Sequence, residues 1–402
     1  MHSANLKDAT RCVHAGEDHH GRKASITTDI AQTSVFVLPN VEELRRFTQG
    51  RSDAYIYTRY ANPTCDAAEK KIAALEGAED CVVTASGMAA TFCAALAVLN
   101  AGDEIVSMLD VYGGTLHLFE DVLSRYGVKT RFVPFSELAQ IEQCFSERTR
   151  MLFLESPTNP TLRCVDLARL SEVAHRHKAV VVVDSTFATP ILQKPLALGA
   201  DMVLHSATKY LGGHSDVTAG AVAGSRPAMA RVREMMKLSG GCLDPSCSYL
   251  LIRGLKTLEI RVERACRNAQ RIAEFLLAHP RVERVFYPGL PGHEGHGLAR
   301  SQMSDFGMMV SFDIKGGAGA AEKFIDSLEL WYLATSLGGV ESTVSYPMLS
   351  SHVGLSDDRL RLLGVSPATI RLSAGIENAS DLIGDLEQAL GTVSRSSFLV
   401  PC

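Results

Sequence analysis

The stretch His205-Ser206-Ala207-Thr208-Lys209-Tyr210-Leu211-Gly212-Gly213-His214 follows a short apolar run. In open α/β folds ligands collect at the carboxyl ends of sheet strands, so a lysine there is placed to form an imine with a carbonyl cofactor. Ser206 and Thr208 offer hydroxyls to a phosphate beside it. Upstream, the apolar run Val180 to Val183 ends on Asp184. A carboxylate in such a place is costly unless its charge has a partner, and a protonated pyridine nitrogen is one such partner. Taken singly, a lysine after a strand is commonly a surface charge, and an aspartate can simply cap a turn.

These residues belong to a longer ordered set. It runs through Tyr57-Thr58-Arg59-Tyr60-Ala61-Asn62-Pro63-Thr64, Ser86-Gly87-Met88, Val111-Tyr112-Gly113-Gly114-Thr115 and Glu155-Ser156-Pro157-Thr158-Asn159-Pro160. It continues through Asp184, the Lys209 segment, Ser336-Leu337-Gly338-Gly339 and Arg371-Leu372-Ser373. The set resembles the trans-sulfuration family of fold-type I pyridoxal-phosphate enzymes, which includes cystathionine γ-synthases, cystathionine γ-lyases and methionine γ-lyases. The resemblance spans nearly the whole chain.

It implies pyridoxal 5'-phosphate as cofactor, Lys209 as the imine lysine and proton shuttle, and Asp184 as the partner of the pyridine nitrogen. Tyr112 matches the tyrosine stacked on the ring, and Ser86, Gly87 and Met88 open a helix whose amides, with Ser206 and Thr208, form a phosphate cup. Tyr57 and Arg59 match residues that reach the phosphate of a neighbouring subunit, with Tyr57 also catalytic. Arg371 matches the arginine that holds the substrate carboxylate, flanked by Ser336 and Asn159. A homotetramer built as a dimer of dimers is implied as well.

Relatives that handle cystathionine carry a Glu where this chain has Ile56, another where it has Thr335, and an Arg where it has His117. All three differences remove charge from the distal pocket, and a second ammonium or carboxylate buried there would lack a partner. Methionine γ-lyases lack those charges too, but they usually carry Cys where Gly114 stands here. The expected function is a carbon–sulfur lyase acting by γ-elimination, and also β-elimination, on a sulfur amino acid. The alternatives are γ-replacement, as in a cystathionine γ-synthase or O-acylhomoserine sulfhydrylase, and a cofactor-binding protein without turnover. Retention of Lys209, Tyr112 and Arg371 together argues against the last.

The elements that must position these groups are legible in the periodicity. The fold class is α/β, a mostly parallel sheet in a large domain followed by a smaller C-terminal α+β domain. Short, continuously apolar strands are expected at Cys81 to Thr84, Glu104 to Met108, Met151 to Leu154, Ala179 to Val183 and Met202 to Leu204, buried on both faces. Helices are expected at Asp66 to Leu75, Met88 to Leu99 and, as a long linking helix, Thr257 to Leu277. Beyond it come strands at Met308 to Ile314 and Thr369 to Leu372, and helices at Ala320 to Ser327 and Leu382 to Leu390. The division expected is 1–60 as an N-terminal arm contacting a neighbouring subunit, 61–256 as the cofactor-binding domain and 257–402 as linking helix and small domain. The arm includes the polar stretch Asp18 to Lys23.

With 402 residues, 46% hydrophobic and 21% charged, the chain is an ordinary globular protein rather than a disordered or collagen-like one. Forty basic against 45 acidic residues leave a net charge of -5, the wrong sign for gripping nucleic acid. Ten cysteines without a Cys-x-x-Cys pair, and no apolar run from Met1 to His20, point to the cytoplasm with no membrane partner. No metal is expected: His293-Glu294-Gly295-His296 lacks zinc-ligand spacing and reads as a loop, and Gly316-Gly317-Ala318-Gly319 reads as a plain turn.

Overall fold

The computed structural model describes residues 6–17 and 25–393. Seven strands build a first sheet: β1 (Asp80–Thr84), β2 (Glu104–Met108), β3 (Lys129–Val133), β4 (Thr149–Glu155), β5 (Val180–Asp184), β6 (Met202–His205) and β7 (Gly220–Gly224). Their spatial order is β1-β7-β6-β5-β4-β2-β3. The run from β6 through β3 is parallel, and only β7 opposes its neighbours β1 and β6. Valine fills β5 because β-branched side chains suit a pleated surface covered on both faces, and four of its five residues are buried.

A second sheet of five strands comprises β8 (Val282–Phe286), β9 (Met309–Ile314), β10 (Tyr332–Leu333), β11 (Thr343–Ser345) and β12 (Thr369–Ser373), in the order β10-β11-β12-β9-β8. The long helix Leu258–Ala278 runs between the two sheet regions in sequence and closes a separate core around Phe312, Phe324 and Trp331.

Helices α1 (Asp8–His14) and α2 (Val41–Thr48) lie in the N-terminal segment, where no regular element was expected; the polar stretch Asp18 to Lys23 is outside the described residues. In α2 every residue is at least partly exposed, and its apolar stripe of Val41, Leu44 and Phe47 is not buried in the single chain. Next come α3 (Pro63–Glu76), α4 (Gly87–Leu96) and α5 (Gly113–His117). The Asn62 side chain caps α3, Pro63 occupies its first turn, and Gly77 ends it at φ 71°.

Two strands of the first sheet and three of the second have no counterpart in the periodicity. β3 is an edge strand of mixed polarity, β7 is built from Gly, Ala and a single Val, β8 sets Glu283 and Arg284 side by side between apolar residues, and β10 and β11 are only two and three residues long. Tertiary pairing overrides weak local propensity in each. The Gly316 turn passes directly into a helix, Gly317–Asp326, three residues earlier than its apolar stripe indicates.

Glycine in β7 has a reason in packing. A Cβ at Gly220 would overlap the carbonyl oxygen of Ser86, the residue that caps α4. Gly220→Ala is therefore expected to push the start of α4 away from the sheet and to cost about 1–3 kcal/mol of stability. Urea unfolding of the cofactor-free protein checks this, and an unchanged midpoint would contradict the close approach.

Candidate active site

Parallel strands β4, β5 and β6 end at one edge of the first sheet, and their register sets Glu155 opposite Asp184 and Asp184 opposite Leu204. That edge opens into a cavity of about 420 Å³. Asp184 lines it, with Oδ1 accepting the Thr186 N–H at 2.9 Å and the Thr186 hydroxyl at 2.5 Å. Glu155 lines it as well, and its Oε2 accepts the backbone N–H of Tyr112 at 2.8 Å. Burial raises both carboxyl groups, Glu155 well above the usual range because Asp184 adds like-charge repulsion. The Thr186 bonds pull Asp184 back toward ionisation, so of the two Glu155 is held further above the ordinary carboxylate range.

Lys209 stands in the segment after β6, with Nζ bonded to the Ser336 hydroxyl at 2.5 Å. Ser336 adopts φ 89°, a conformation rare for a residue with a side chain, and such strain persists where the surroundings demand it. The demand is visible at Gly338, also left-handed at φ 80°, where a Cβ would lie 2.7 Å from the Tyr210 nitrogen. Residues from the second sheet region are thus wedged against the lysine segment of the first. Arg371, buried on β12, donates to Asn159 Oδ1 at 2.9 Å and to the Ser336 carbonyl at 3.1 Å.

Helix α4 begins where an anion could sit. The Ser86 side chain accepts the Ala89 N–H at 3.1 Å, while the N–H groups of Gly87 and Met88 have no partner among the described residues. A Cβ at Gly87 would lie 2.8 Å from the Ser206 Cβ, so bare backbone is what lets these amides share a space with Ser206. Thr208 also lines the cavity, but its hydroxyl donates to the Ala219 carbonyl at 3.1 Å. Tyr112 forms part of the wall and is about half exposed.

The cavity therefore unites Ser86, Gly87, Met88, Tyr112, Asn159, Asp184, Ser206, Thr208, Lys209, Thr335, Ser336 and Arg371. Ile56, Tyr57 and Arg59 do not reach it in the single chain: Arg59 donates to the Lys237 carbonyl at 2.8 Å and lies over the Tyr57 and Tyr60 rings. His117 is likewise elsewhere, exposed and bonded to Asp121. Glu155, Thr186, Ser350 and Ser351 join the lining without having been singled out in the sequence. Glu155 could have been found by the reasoning applied to Asp184, since it too ends an apolar strand on a carboxylate. His293 bonds the Thr161 carbonyl at 3.1 Å, and no group able to hold a metal ion occurs among the described residues.

A flat cofactor with a phosphate, a carbonyl and a ring nitrogen fits these donors. The helix start and Ser206 supply an anion site, Lys209 an amine, and Asp184 a carboxylate whose Oδ2 has no protein hydrogen bond among the described residues. Burial, assisted by Arg371, lowers Lys209 to about 8. Only the neutral amine attacks a carbonyl. Pyridoxal phosphate added to cofactor-free protein should therefore attach at a rate that rises through about pH 8, whereas an ordinary lysine keeps gaining until about pH 10. Stopped-flow absorbance measures this; a midpoint in the ordinary range would contradict the desolvation of Lys209, and Lys209→Ala should show no borohydride-stable attachment.

The family model of Cys/Met metabolism PLP-dependent enzymes matches residues 9–391. An L-methionine gamma-lyase of Fusobacterium nucleatum subsp. polymorphum is 43% identical over 386 residues, covering 95% of this chain and 97% of that protein. Cystathionine gamma-synthase 1, chloroplastic, of Arabidopsis thaliana is 43% identical over 396 residues, covering 98% of this chain and 70% of that protein. The crystal structure of metB from Corynebacterium glutamicum superposes with a TM-score of 0.92 at 40% identity, covering 98% of this chain and all of that one.

Proposed function

This chain belongs to the Cys/Met metabolism PLP-dependent enzymes, and from that premise we propose that it is a carbon–sulfur lyase for a small sulfur amino acid. The reaction is γ-elimination, with loss of a thiol and release of a 2-oxo acid and ammonia; a β leaving group follows the same start. The observation that carries this reading is the charge inventory of the cavity. Its only carboxyl, amine or guanidinium side chains among the described residues are Glu155, Asp184, Lys209 and Arg371. Each already has a task, and none remains for a second ammonium or carboxylate on the substrate.

Bound pyridoxal phosphate supplies an electron sink next to the substrate Cα. Arg371, held in place by Asn159 and the Ser336 carbonyl, takes the substrate carboxylate in its planar fork. Asp184 would hold the ring nitrogen, and Ser86, Gly87, Met88 and Ser206 would hold the phosphate. Lys209 Nζ would take and return the Cα proton, and its bond to the Ser336 hydroxyl holds it at the cavity. Tyr112, on the cavity wall, would stack on the ring.

Thr335, Ser350 and Ser351 form a neutral distal wall. Glu322 and Asp326 line an adjoining hollow that shares Thr335 and Ser350, and they are exposed, where water screens them. A distal ammonium brought to the wall loses hydration for no ion pair, about 1–3 kcal/mol, or roughly tenfold to a hundredfold in specificity. Methionine- or homocysteine-like amino acids should thus exceed cystathionine in kcat/KM for 2-oxo acid and thiol release. Thr335→Glu, combined with Ile56→Glu, should raise the relative value for cystathionine. Best cleavage of cystathionine by the unaltered enzyme would contradict the charge reading. Consumption of an O-acylhomoserine and a thiol without 2-oxo acid would move the assignment to γ-replacement.

The N-terminal segment supports a shared site in a homotetramer built from dimers. Ile26 is 88% exposed and Val37 98% exposed in the single chain, while Val35 and Val41 are also largely open, an apolar surface suited to a second copy. Ile56, Tyr57 and Arg59 lie on this segment and complete the neighbour's cavity. Nine free cysteines among the described residues fit a reducing cytoplasm, and no described helix is long and apolar enough to cross a membrane. Mixing Arg59→Ala with Lys209→Ala subunits should restore activity, because a hybrid dimer has one intact site. Failure to complement after confirmed subunit exchange would show that the sites are not shared.

A further inference from the structure

We propose that Thr186 is a positioning residue that couples the charge state of Asp184 to the backbone carrying Ser206 and Lys209. This rests on the reading of Asp184 as partner of the ring nitrogen. Thr186 follows β5 by two residues and lines the cavity. Its N–H and its hydroxyl both donate to Asp184 Oδ1, at 2.9 and 2.5 Å, and the hydroxyl oxygen accepts the Ser206 N–H at 2.8 Å. A hydroxyl has one proton to give. With that proton donated to Asp184, the lone pairs face Ser206, so the two bonds reinforce one another and are strongest with an ionised Asp184.

The bridge stands where sheet pairing has run out. The register of β5 with β6 stops at Asp184 and Leu204, and one further backbone bond joins Ser185 N–H to the Leu204 carbonyl. Beyond that point the Thr186 hydroxyl ties the two chain segments together. The segment it holds is short, since the Lys209 N–H returns to the Ser206 carbonyl at 3.0 Å. One atom therefore links the carboxylate, the first residue of the anion site and the turn that aims the lysine. The Thr186 hydroxyl is engaged by Asp184 and Ser206, and its influence passes through them.

The test uses holoenzyme carrying Thr186→Val, Thr186→Ser or Asp184→Asn. Valine keeps the shape but loses both hydroxyl bonds, leaving the Ser206 N–H without its acceptor and Asp184 short of one donor. Thr186→Val should lower kcat roughly tenfold to a hundredfold with KM within about threefold. It should also shift the pH midpoint of the cofactor's visible band in substrate-free enzyme and raise the dissociation constant of pyridoxal phosphate. Thr186→Ser should restore all three readouts to within about threefold of the unaltered enzyme. An unchanged midpoint and kcat in Thr186→Val, or equal damage in Thr186→Ser, would overturn the proposal. If Asp184→Asn alters the band while Thr186→Val does not, the coupling alone fails. If Asp184→Asn itself changes neither band nor turnover, the reading of Asp184 fails and the coupling with it.

Discussion

Two carboxyl groups end adjacent strands in the same apolar layer, and a medium of low dielectric does not tolerate two unpaired negative charges there. The fold answers by treating them differently. Glu155, further from compensation, is pushed well above the ordinary carboxylate range and accepts the Tyr112 N–H. Asp184, with two donors from Thr186, is drawn back toward ionisation and keeps one oxygen without a hydrogen bond among the described residues. Tyr112 is fixed through the first group and the lysine segment through the second, so the wall and the floor of the cavity depend on one electrostatic division.

The remaining half of the site comes from the second sheet. Arg371 is central to that sheet, on a strand paired on both sides, and its guanidinium is buried with only Asn159 and the Ser336 carbonyl as hydrogen-bond partners among the described residues. Such a desolvated cation lowers Lys209 and gains most from a carboxylate that arrives with the substrate. The left-handed turn at Ser336 and Gly338 lets the two sheet regions approach closely enough for this. Strain in that turn is offset by the packing that forces it, so the lysine and the arginine face one another across a fixed gap.

Much of this was legible in the residues alone. Continuous Val, Ile and Leu announced the central parallel strands to within two residues, because burial on both faces leaves no other composition open. Chemistry-bearing groups at strand ends, Lys209, Asp184 and Ser206, stood out because polar groups directly after apolar runs need an explanation. What periodicity missed includes the Gly- and Ala-rich β7 and the edge strand β3, whose conformations are imposed by neighbours rather than by local preference, and α2, whose apolar stripe packs into no core of this chain.

The sequence by itself determined the chemistry available, since residue type and order along the chain fix which donors, acceptors and amines exist and at which strand ends they emerge. Only the tertiary structure decided how those groups divide their labour. That Glu155 and Asp184 meet at adjacent strand ends, that Thr186 spans two strand ends, and that Ile56, Tyr57 and Arg59 stand outside the cavity of their own chain follow from distances between residues remote in sequence or from the direction of a single hydroxyl. Burial and geometry set charge states, and neither is a property of a residue before the chain has folded around it.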